Sequence, residues 1–130
     1  MRMIKQVFNV RNYWKVVVLY NLDCNLFNVV SAELEDIGFS DSQIDDVLYN
    51  MCKGDALAVT CSNISRHRSV ILFNRHTSKR DYINSIVHEA EHVKQAMLKA
   101  YKVEDSGESP AYTIGYLVMR MYNVFREFLQ

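Results

Sequence analysis

Five consecutive residues, His88-Glu89-Ala90-Glu91-His92, combine types and spacing that suit metal-assisted hydrolysis. Side chains four apart on a helix lie one turn apart on the same face, so both imidazoles can reach one ion. Glu89 stands about 100° round from His88, so it need not ligate and can lie beside a metal-bound water. Zinc acidifies such a water, and a carboxylate takes its proton as the hydroxide attacks a carbonyl. With four histidines in 130 residues, this pattern arises by chance on the order of once per hundred such chains, which lifts it above any lone residue. The competing reading is a charged helix face that carries two surface histidines.

The elements that must position these residues are legible around them. Ser78-x-x-Asp81 resembles a capping box with Asp in place of Glu, and it opens a helix. Ile83, Ile86, Val87, Ala90, Val93, Met97 and Tyr101 form its apolar stripe, which leaves His88 and His92 on a neighbouring face suited to a cleft. A break follows at Glu104-Asp105-Ser106-Gly107. Pro110 opens a second helix, with a core face at Ala111, Ile114, Leu117, Val118, Met121, Val124, Phe125 and Leu129. A catalytic zinc needs a third protein ligand. No histidine follows His92, and His67 and His76 both lie upstream. The acidic candidates are Glu108, at the start of the second helix, and Glu104 and Asp105 in the break. Glu108 ranks first, although an antiparallel helix pair puts it two to three turns beyond the histidines. Tyr112 and Tyr116, one turn apart, could offer a phenol to a developing oxyanion or simply pack.

His88 to His92 followed by Gly107-Glu108-Ser109-Pro110-Ala111-Tyr112-Thr113-Ile114-Gly115-Tyr116 resembles the small zincin-like proteins of phages and bacterial mobile elements, on the gluzincin side. The resemblance covers the last third of the chain and extends to the hairpin before it. It implies a minimal core of a small sheet, a metal helix and a second helix. It also implies zinc on His88, His92 and Glu108, Glu89 as the base, and a peptide or protein substrate. In such folds the strand at the cleft edge, which the resemblance places at 69–74 before the metal helix, can pair with an extended substrate. The first fifty residues carry no matching motif.

The rest of the chain predicts an α+β fold, a small mostly antiparallel sheet packed against helices in one domain over 1–130. Residues 13–20 read as a strand covered on both faces, and 56–61 and 69–74 as two more. Leu26 to Ile37 reads as a helix ended by Gly38. Ser40 or Asp41 caps the next, which carries Ile44, Val47, Leu48 and Met51. Zero net charge argues against nucleic acid, and Arg66-His67-Arg68 reads as a solvated hairpin tip. Cys24, Cys52 and Cys61 are odd in number and lack a Cys-x-x-Cys pair, so reduced thiols are expected. No signal-like segment appears, and Val16–Tyr20 is too short to span a bilayer, which predicts no membrane partner and a cytoplasmic protein. Two functions compete: a zinc-dependent hydrolase, and a non-catalytic zincin-like interaction module. Oligomeric state is not legible.

Overall fold

The computed structural model describes residues 2–11, 13–54 and 56–128, with Phe128 by its backbone alone. The elements are β1 (Ile4–Val10), β2 (Trp14–Leu22), α1 (Phe27–Asp36) after a 3₁₀ turn at Cys24–Leu26, α2 (Asp41–Cys52), β3 (Ala58–Asn63), β4 (Arg68–Asn74), α3 (Lys79–Tyr101) and α4 (Glu108–Phe128). The fold is α+β, as expected. The sheet runs β1-β2-β4-β3. β1/β2 and β3/β4 pair antiparallel, while β2/β4 are parallel, so β3 is an edge strand and β4, over the residues expected at the cleft edge, is paired on both sides and cannot take a substrate strand.

The unbroken apolar run of β2 is explained by cover on both faces. Trp14, Val16, Val18 and Tyr20 join Ile71, Phe73 and the inner faces of α3 and α4. Val17, Leu19 and Leu22 join Val70, Leu72 and Val30, Leu34, Ile37 and Ile44 of the α1–α2 side. A register shift after Leu19, with Asn21 at φ 60°, turns Leu22 to the second face.

β1 was not anticipated, and the reason is physical. Its inward positions are Ile4, Gln6, Phe8 and Val10, so a glutamine interrupts the apolar alternation. Gln6 is satisfied from both sides: Tyr20 Oη donates to Oε1 at 2.6 Å, and Nε2 donates to the Arg120 carbonyl at 2.9 Å.

The expected caps are present. Ser40 and Gln43 form a full capping box on α2, and Ser78 Oγ accepts from the Asp81 N–H on α3. Gly38, at φ 93°, follows α1. The second terminal helix begins at Glu108, two residues before Pro110.

Four expectations are corrected. The core stripe of α3 is Tyr82, Ile86, Ala90, Val93 and Met97, whereas Ile83 and Val87 are 40% and 45% exposed. Two apolar stripes compete on this helix. Tyr82 decides between them because its ring packs on Tyr20, Phe73 and Phe125 at 5.4–6.3 Å between centroids. On α4, Leu117, Met121 and Phe125 are buried, but Ala111 is exposed; Leu129 lies outside the described residues.

The thiols are not all free. Cys24 and Cys52 form a disulfide, with Cα atoms 5.6 Å apart, and Cys61 alone is a buried free cysteine. The fold brings the start of the α1 segment against the end of α2, a proximity that a separation of 28 residues conceals.

The Arg66-His67-Arg68 tip is docked rather than simply solvated. Arg66 Nη1 donates to the Asp36 carbonyl at 3.2 Å, and Arg68 Nη1 to Asp36 Oδ2 at 3.0 Å. His67 stacks on Trp14 and bonds Tyr101 Oη at 3.1 Å. Among the described residues, no helix is long and apolar enough to cross a membrane.

Candidate metal centre

α3 carries the motif in its middle. Ala90 is fully buried, and His88 and His92 each lie about 160° round the helix from it. Both histidines are therefore exposed on the outer face, not on the flank of a cleft. Their Nε2 atoms are 3.2 Å apart, with the ring planes at 78°. Two nitrogens held at about 2.05 Å by a tetrahedral zinc stand about 3.3 Å apart. The separation matches that of two such corners, and it is equally that of a hydrogen bond between the two imidazoles.

Glu89 takes another direction. It is 4% exposed, turned under the edge strand, where its Oε1 accepts from Thr60 Oγ1 at 2.9 Å. A buried carboxylate needs such a donor. Thr60 carries no chemical motif and lies in a different element, so no sequence signal marks it. Next along β3, burial, and secondarily the Glu89 carboxylate, push the Cys61 thiol up to about 12. A thiol so placed is a poor nucleophile.

The structure brings no third ligand to the histidines among the described residues. Among the described residues, no three His, Cys, Asp or Glu side chains gather where they could hold a metal. About 14 Å of helix separates His92 from the end of α3 at Tyr101. Lys102 then turns the chain at φ 55°, and Glu108 begins α4 beyond that turn, exposed.

Asp105 does climb back along α3, but to a different flank. Its Oδ1 meets Lys94 Nζ at 2.9 Å, and Glu91 Oε1 meets the same ammonium at 2.9 Å. The hydrogen bonds that Lys94 donates to Asp105, then to Glu91, raise its pKa and hold it charged. Lys94 lies about 160° from His92 around the helix, so the ion pair holds Asp105 away from the histidines. Glu104 is exposed in the same turn.

The two tyrosines of α4 serve other contacts. Tyr116 Oη donates to the Asn9 carbonyl at 3.3 Å and accepts from Arg120 Nη1 at 3.0 Å. Tyr112 is 69% exposed, beside Glu108, Ala111 and Met119 on an open apolar groove.

His76 is tied up elsewhere. Its Nδ1 bonds the Asn74 carbonyl at 2.7 Å and its Nε2 bonds Ser85 Oγ at 2.8 Å. The carbonyl can only accept, so in the neutral ring the proton is on Nδ1 and Ser85 donates to Nε2.

Compared with protein families, curated proteins and solved structures, the chain matches none.

Proposed function

We propose that this chain binds zinc through His88 and His92 and works as a zincin-like, peptide-directed hydrolase with Glu89 as its base. The observation that carries the reading is the 3.2 Å separation of the two Nε2 atoms, which matches the bite of a tetrahedral ion. When bound, zinc supplies a Lewis acid and an acidified water. The chain's own residues do the rest. His88 and His92 hold two corners from one rigid helix. Glu89, adjacent on that helix, takes the proton once its carboxylate turns from Thr60 toward the histidines. The edge strand β3, against which Glu89 packs, is available to pair with an extended peptide.

A second reading has its own support. Glu89 is buried on Thr60, and no third acidic ligand joins the histidines among the described residues. Both features favour a non-catalytic zincin-like interaction or structural module, with or without bound metal.

Metal analysis of the purified chain, paired with a peptide-library digest, separates the two. The hydrolase reading expects bound zinc, cleavage in the parent, and zinc without cleavage in Glu89→Gln. His92→Ala should lose both. Zinc with no cleavage by the parent selects the module, and a chain that takes up no zinc near neutral pH overturns the hydrolase and leaves only the module in its metal-free form.

A further inference from the structure

The outer face of α3 is symmetric about Ala90. Asp81, His88, His92 and Lys99 are all exposed, and their spacings along the helix run 7, 4, 7. Helix geometry puts Asp81 and Lys99 directly opposite Ala90 in azimuth, each about 13.5 Å along the axis from it, with His88 and His92 straddling the same line. Such a line is its own complement. In a second copy laid antiparallel across it, His88 faces the second copy's His92, and Asp81 faces its Lys99. This is the requirement of a two-fold interface, where the same patch serves both partners.

We propose that zinc bridges two copies of this chain through this face, with His88 and His92 of each copy filling its four corners. The proposal rests on the reading that His88 and His92 bind zinc. Three observations join here. The histidine pair has the tetrahedral bite. No third ligand gathers from the same chain among the described residues. The charges at the two ends of the exposed line are opposite, so two Asp81–Lys99 contacts flank the ion and set the antiparallel sense. Four imidazoles leave no corner for water, so the bridged pair is a closed, non-hydrolytic form, and any hydrolysis belongs to the single chain.

The test is titration of the full chain with zinc chloride at low ionic strength, reading mass by light scattering and metal content on the same fractions. The proposal expects the mass to double at one zinc per two chains and to return on adding EDTA. His92→Ala should stay single at every zinc concentration. Lys99→Glu sets like charges against Asp81 and should raise the zinc needed for half-dimerisation about tenfold. The charge swap Asp81→Lys with Lys99→Glu should restore it, which a folding defect would not do. One zinc per single chain overturns the bridge but leaves the zinc reading standing. No zinc uptake overturns both. Doubling that is insensitive to Lys99→Glu overturns the antiparallel pairing.

Discussion

Thr60 Oγ1 donates to Glu89 Oε1 at 2.9 Å, which ties the edge strand to the helix that carries the histidines. This bond makes the acid of the HExxH motif a structural partner of the sheet as well as a candidate base. Thr60→Val keeps the shape and removes the donor. Leaving a buried charged acceptor short of its partner costs about 1–3 kcal/mol. Urea unfolding of the variant should show a lower midpoint with an unchanged slope. An unchanged midpoint would mean that the bond contributes nothing.

The disulfide and the buried thiol predict a simple count. Without reductant, the native protein should show no thiol reactive to a chromogenic disulfide reagent at pH 8, because Cys61 is buried with its pKa pushed to about 12. Denaturation without reductant should release one thiol, and reduction first should release three. Three thiols in denaturant alone would place Cys24 and Cys52 in the reduced form.

His76 predicts an acid-sensitive component of stability. Burial lowers its pKa below 6.5, opposed by its bond to the Asn74 carbonyl and by Asp81. The unfolded chain therefore takes up this proton first. The contribution is fully present above about pH 6.5 and is lost as pH falls through that value toward the folded pKa. His76→Gln should flatten this part of the stability curve, measured by urea unfolding from pH 7.5 to 5. A parallel loss in parent and variant would assign the acid limb to other groups.

Gly38 predicts a local backbone effect. Its φ is 93°, and a Cβ there would lie 2.9 Å from Arg66 Nη1. Gly38→Ala should destabilise by about 1 kcal/mol or more, from the positive φ and from displacement of the Arg66 contact to Asp36. Thermal melts of Gly38→Ala with and without Arg66→Ala separate the two. If both glycine variants fall equally, the backbone dominates.

The sequence by itself determined the elements whose signals are local. Continuous β-branched and aromatic residues marked β2. Period-four apolar residues and the Ser40 and Ser78 caps marked α2 and α3. The spacing of His88 and His92 was enough to put both imidazoles on one helix face, because helix pitch is set by the backbone. What it could not decide were relations between elements. β1 hid because its inward Gln6 is satisfied by Tyr20 and Arg120, partners that lie in other elements. The face that α3 buries was ambiguous between two apolar stripes until the rings around Tyr82 selected one. That choice swung the histidines outward to solvent. It also swung Glu89 inward, where Thr60 supplies the hydrogen bond that a buried carboxylate requires. The position of Asp105 was likewise decided by Lys94, through an ion pair that only the folded turn brings into range. Spacing along one helix follows from covalent geometry, whereas which side of that helix meets water follows from the packing of everything around it.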